Sequence, residues 1–387
     1  MPASFQDLHD SFYNALCAGL GFVPQDNLQL IQPAAPLVAG PQADDALWSY
    51  FNSLPPLSLS RDYVASGGNQ FFSNYRGLLS ALQGQADAFT RELGVEGARA
   101  WKAHLRALPA PVPVRELPTL FRGWAKGSRF AGAIPRVLPR LEVMVLDAIT
   151  AAQLGMMLYE GDPMASPPIP NRSPDWSHGY ADLLAALRHA PPASFVVSSG
   201  GWNRDLTRTW ARGLRVGHPS LMRDRRLPEL QCRRLDALFV SKGISLSARF
   251  KNVLRFMATP GAWYSPAAFA MAFNQKGCPP WSASSAINWT STFDPDQGNL
   301  ARFTKMLVVV NQMSIVVTAE AAFALADQQT LRSSAGQGLW PLYASSSTSA
   351  RNDVVFDASG RLTLTITSQP DVPVVLGCTV VPAAQYV

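Results

Sequence analysis

The sequence predicts an α+β protein, mostly helical in its first half and β-rich, antiparallel and sandwich-like in its second. Three observations carry that expectation. Apolar residues recur at three- and four-residue spacing as far as Pro191-Pro192, and from Ser194 onward they alternate with polar ones. The formal charge changes sign at the same place, −2 over residues 1–192 and +8 over residues 193–387. A chain of 387 residues exceeds one typical core, so the change of pattern is the expected boundary between a helical domain, 1–192, and a basic β-rich domain, 193–387.

Ser4–Leu20 opens the helical part with Phe5, Leu8, Phe12, Leu16 and Leu20 on one stripe. Ala46–Leu54, Phe71–Leu93 and Val95–Leu108 continue the same pattern. A proline-rich break at 108–118 cannot be helical, because proline lacks the amide proton and clashes with the preceding turn. Helices are expected again at Leu117–Lys126 and Leu138–Tyr159. A second break at 162–175 carries Pro163, Pro167, Pro168, Pro170 and Pro174, and Gly179–His189 is the last helix before Pro191.

In the second half Gly243–Met257 alternates most clearly. Ile244, Leu246, Ala248, Phe250, Leu254 and Phe256 are expected on one face, with a bulge or bend near Asn252. Lys305–Val310 and Met313–Glu320 read as a hairpin about Asn311-Gln312. Val354–Phe356 and Arg361–Ser368 flank Asp357-Ala-Ser-Gly360, a turn with glycine in the left-handed position. A helix at Ser265–Asn274 interrupts the strands, and Val374–Val381 is the last of them.

Hydrophobic residues make up 47% of the chain and charged ones only 16%, well under the usual quarter, so much of the surface is neutral and suited to self-association. Cys17, Cys232, Cys278 and Cys378 show no CxxC and no Cys/His ligand spacing, which predicts isolated thiols and no metal. No apolar run reaches 18 residues, so no transmembrane segment is expected. Asp7 and Asp10 stand where a signal peptide would be basic. The chain is therefore expected to be cytoplasmic as synthesised, with any release by a signal-independent route.

The strongest pointer to a partner is charge. Between Gly201 and Pro260 lie 13 of the 33 basic residues and 4 of the 27 acidic ones. Arg204, Arg208, Arg212 and Arg215, with Trp202 and Trp210 among them, would attract phosphates, acidic lipid headgroups or an acidic protein. The same arginines could instead pair with acids of the first half, such as Glu160 or Asp182. Sequence-specific nucleic-acid recognition is not expected, since no motif with defined groove geometry is present. Val196–Asn203 runs into Gly200-Gly201, yet the phosphate-loop, GxGxxG and GxSxG patterns are all absent. Trp263, Tyr264 and Trp281 lie in a loop-rich stretch. They suit either a glycan or interfacial binding surface or a core of large rings.

Acid–base candidates are His178, within Asp175-Trp-Ser-His178, and His218. A triad drawn from one tetrapeptide is rare, and Ser173 or Asp175 is expected to cap the helix that follows. Glu160 with Asp162, and Asp294 with Asp296, are close carboxylates that read as loop and turn chemistry.

These observations point first to a non-enzymatic binding or assembly protein. Its basic β-rich part would engage an anionic partner, a glycan or a membrane surface, as a toxin-like oligomer does. The alternatives are an enzyme with a site between the halves, using arginine to hold an anionic substrate, and a structural shell-type subunit. No cofactor is called for by any motif.

Overall fold

The computed structural model describes residues 4–55, 70–164, 168, 170–198, 219–222, 227–344 and 350–386. Helices dominate the first half and an antiparallel curled sheet dominates the second, so the protein is α+β. The strands are β1 (Leu28–Pro36), β2 (Ala193–Ser198), β3 (Ile244–Phe256), β4 (Arg302–Ala322), β5 (Ala350–Phe356), β6 (Arg361–Ser368) and β7 (Val374–Pro382). They form one sheet in the order β1-β7-β4-β3-β2, with β6 on β4 and β5 on β6. Helices fill the layers against that sheet.

The first-half helices are α1 (Phe5–Gly19), α2 (Ala43–Asn52), α3 (Phe71–Ala81), α4 (Ala86–Ala107), α5 (Leu117–Lys126), α6 (Ile134–Met144), α7 (Ala148–Met157) and α8 (Tyr180–Arg188). In the second half come α9 (Glu229–Phe239), α10 (Pro266–Asn274), α11 (Trp289–Phe293), α12 (Leu325–Ser334) and α13 (Ala383–Tyr386). Ser4 caps α1 by accepting from the Asp7 amide, and the stripe from Phe5 to Leu20 is buried. Where periodicity suggested one helix over Phe71–Leu93, the chain breaks after Ala81. Gln153 Nε2 donates to the Leu79 and Leu82 carbonyls, which the helix end leaves unsatisfied. Leu138–Tyr159 likewise divides, because Asp147 caps α7 by accepting from Thr150 N at 2.7 Å. The cap of α8 is Gly179, rather than Ser173 or Asp175, and the Asp182 carboxylate accepts from the Gly179 amide at 3.0 Å. The two proline-rich breaks are tied together. Arg106 donates to the Pro170 carbonyl at 2.6 Å and Arg172 to the Leu108 carbonyl at 3.1 Å. Burial, with the nearby Arg172 charge, holds the Arg106 guanidinium below its ordinary range.

The largest departure from expectation is β4. Asn311-Gln312 is not a hairpin turn but the midpoint of one 21-residue strand. Up to Val310, β4 pairs with β7; from Ser314 it pairs with β6. On its other edge it pairs with β3 from Leu307 to Ala319, across the change of partner. Gln312 has a φ of 48°, its amide donates to Asn311 Oδ1, and the Met313 amide donates to Ser368 Oγ. These turn-like residues serve a change of partner.

Side chains switch parity at the same place. Val308 and Val310 share a core with Met313, Ile315 and Val317, where unbroken alternation would separate even from odd. On β3, Phe250 belongs to that core while Leu254 and Phe256 face the other one, so the six apolar residues do not share a face. The change of face falls between Phe250 and Leu254 with no register shift against β4, and Asn252 Nδ2 donates there to the Ala190 carbonyl.

Two apolar cores result, one on each side of the sheet. One packs α2 to α8, α10 and α11 against Phe303, Leu307, Val309, Val375 and Val380. The other packs α1, α9 and α12 against Leu246, Phe250, Ile315, Val317, Leu364 and Ile366. Each core draws residues from both sides of position 192.

Cys17 and Cys378 are buried in these cores, and burial above all pushes their thiols up to about 11 and about 12. Ellman's reagent should therefore modify exposed Cys278 quickly in the native protein, half-buried Cys232 more slowly, and the other two only after denaturation. Four thiols reacting at one rate would contradict the packing.

Candidate functional site

Among the described residues, helices cover both faces of the sheet at the β1-β7 end, but only one face beyond Gln312. There β2, β3, β4, β6 and β5 lie side by side, and alternation sends every second side chain away from the core. Register aligns these outward residues in three rows. The first is Ser194, Arg249, Ser314, Thr367 and Arg351; the second is Val196, Ser247, Val316, Thr365 and Asp353; the third is Ser198, Ser245, Thr318, Thr363 and Val355. All fifteen are exposed or half-exposed. Their neighbours one position along, such as Val197, Leu246, Ile315, Leu364 and Asn352, are buried.

Nine of the fifteen carry a hydroxyl and three are valine. No aromatic side chain stands in these rows, so the stacking surface that sugars favour is missing from them. Ser245 and Thr318 hydroxyls meet across strands at 2.6 Å, and Arg351 pairs with Asp353 at 2.8 Å. Arg249, and Lys251 just beyond the first row, form no ion pair among the described residues. The Arg361 pair with Asp357, at 2.7 Å, sits at the opposite end, where the Ser359 hydroxyl and then the Arg361 amide and guanidinium hold the Asp357 carboxyl well below its usual range. The alternation Thr363-x-Thr365-x-Thr367 was the signal for this face in the sequence.

Trp202, Arg204, Arg208, Trp210, Arg212, Arg215 and His218 lie outside the described residues. Their segment begins directly after Ser198, the β2 end of the third row.

The loop aromatics, in contrast, go inward. Trp263 and Trp281 are buried, with indole N–H groups donating to the Asp175 and Gln275 carbonyls. Tyr264 packs between Phe71, Tyr75, Phe269 and Tyr386, and burial raises its phenol far above the ordinary value. They build core because each ring finds a polar or edge-to-face partner there.

The acid–base candidates do not converge either. His178 Nδ1 is 3.6 Å from Asp182 on an exposed helix start. Asp175 is occupied by the Tyr159 hydroxyl at 2.6 Å. Glu160 pairs with Arg76 and Lys102, and Asp162 with Arg99. A groove of about 640 Å³ between α4 and α5 is lined by His104, Val112, Glu116, Thr119, Leu120, Gly123 and Trp124. It lies within the first-half helices, with His104 stacked on Trp124, and brings no arginine to its imidazole and carboxylate. Among the described residues no three His, Cys, Asp or Glu side chains gather as metal ligands, and no helix is long and apolar enough to cross a membrane. No protein-family model, curated protein or solved structure matches the chain.

Proposed function

We propose that the protein is a non-enzymatic binding and assembly protein that presents the open sheet face to an anionic partner surface and associates with itself. The observation that supports this most is a five-stranded face that no helix covers among the described residues, in a fold whose other large sheet surfaces are packed by helices. Hydroxyls and valines shed water at far lower cost than charges, and hydroxyls can both donate and accept toward a partner. Arg249 and Lys251 bias one end of the face toward negative charge. The sequence bearing Arg204, Arg208, Arg212 and Arg215 is joined to the face at its other end, after Ser198, and gives the chain a second concentration of positive charge.

The test is sedimentation with vesicles containing phosphatidylserine, against neutral vesicles, over a salt series. Binding is expected to the anionic vesicles alone and to fall as salt rises. Changing Arg208, Arg212 and Arg215 to glutamine, together with Arg249→Gln and Lys251→Gln, should reduce it at least about tenfold. Equal binding to both vesicle types, or an unaffected variant that is natively folded, would overturn the proposal.

A further inference from the structure

The sheet has three outer strands, and they are finished differently. β1 carries Pro33 and Pro36, has a register shift between Leu30 and Ala35, and is covered by the segment at Pro341–Leu342. The Ala34 amide donates to the Leu342 carbonyl and Gln32 Nε2 to the Pro341 carbonyl. β5 sets Arg351 and Asp353 along its length. Prolines, bulges and charges are the usual protections of a free strand edge. β2 has none of them. Ala193–Ser198 is uncharged, lacks proline, and runs in unbroken register with β3. Among the described residues no strand pairs with its other side, and Val196 is 72% exposed.

We infer that β2 is the docking edge for a second copy of this chain, in two-fold antiparallel pairing centred on Val196. This takes the assembly reading above one step further and rests on it. Antiparallel partners opposite one another share a face, so the axis must pass through a residue rather than between two. Centred on Val196, the pairing sets Val196 against its twin and Ser194 against Ser198 of the copy on the open side. On the core side it sets Phe195 against Val197. No like charges are opposed, which is what a self-pairing strand requires and a charged edge strand lacks. The open faces of the two copies then join into one continuous surface, doubling the array presented to a partner.

The experiment is light scattering coupled to size exclusion on the full chain in high salt, where anion binding is suppressed. The expected result is twice the chain mass. Val196→Lys places two ammonium groups at the axis and should weaken the dimer at least about tenfold. Val196→Thr, which keeps the β-branched shape, should retain it. Val196 is too exposed for the lysine to disturb the core, so unchanged circular dichroism and melting temperature are the folding control. A wild-type monomer at every concentration, or a Val196→Lys dimer as strong as wild type, would overturn the inference. Vesicle binding separates this from the function proposed above. A wild-type monomer that still binds vesicles sinks self-association and the edge but leaves the anionic-partner reading, a Val196→Lys dimer as strong as wild type sinks the edge alone, and dimerisation without vesicle binding sinks the anionic-partner reading alone.

Discussion

Replacing Trp263 with alanine is expected to lower stability by about 3–5 kcal/mol, the range for deleting a fully buried large aromatic. The indole is wholly shielded from solvent. Its ring centroid lies 5.1 Å from Phe71, 5.2 Å from Phe72 and 5.5 Å from Trp176, mostly edge to face, so the loss exceeds simple transfer from water. Nε1 also donates to the Asp175 carbonyl at 2.9 Å. Phe71, Phe72 and Trp176 belong to the first half of the chain and Trp263 to the second, so the cavity would open in the seam between them. Urea unfolding followed by circular dichroism measures the loss. Trp263→Phe should cost less, because the cavity is smaller although the hydrogen bond is gone. Thr365→Ala, on the open face, should stay within about 0.5 kcal/mol of wild type. Trp263→Ala no more costly than Thr365→Ala would mean that the aromatic core is wrongly placed.

That contrast also marks what was legible in the sequence. Trp263 stands in a loop beside Pro260-Gly261, and nothing local distinguishes a surface ring from a core ring. The partners that decide it, Phe71 and Trp176, are far away in the chain. Strand identity was easier. β3, β6 and β7 alternate or run apolar as strands must, and Gly360, at φ 80°, closes the turn from β5 to β6 as expected. β4 is hidden in the sequence because Asn311-Gln312 has turn composition, yet a strand that exchanges one neighbour for another needs the same backbone freedom. α9 leaves little periodic signal because Arg233, Arg234 and Asp236 dilute its apolar stripe to Leu235 and Phe239. The hydroxyl array was visible strand by strand, most plainly at Thr363, Thr365 and Thr367. That it forms one open face depends on where the helices stop, a matter of tertiary packing that periodicity does not carry.

Severing the chain between Pro191 and Pro192 and expressing residues 192–387 alone should yield an aggregating fragment, even though the cut falls where the sequence changes character. Such a fragment keeps β2 to β7 and loses β1 and α1 to α8. On one side of the sheet Phe256, Leu307, Val309, Val375 and Val380 would lose the first-half helices, and Phe303 would lose Phe71 while keeping Phe269 and Tyr386. On the other, Phe239 and Trp340 would lose Phe5, and Trp340 also Phe12. Exposing one such side chain costs about 1.5–3 kcal/mol. The five on the first face alone therefore rival the whole net stability of a typical domain, about 5–15 kcal/mol. Without β1, the apolar strand Val374–Pro382 also becomes a bare edge, an invitation to strand-on-strand aggregation. The measurement is the soluble fraction and size-exclusion profile of the fragment, alone and co-expressed with residues 1–191. Rescue by co-expression is expected, because the same surfaces can re-form between separate chains. A monomeric fragment that unfolds cooperatively without its missing half would show that the sheet carries its own core, and that the two cores shared across position 192 are not what holds the fold together.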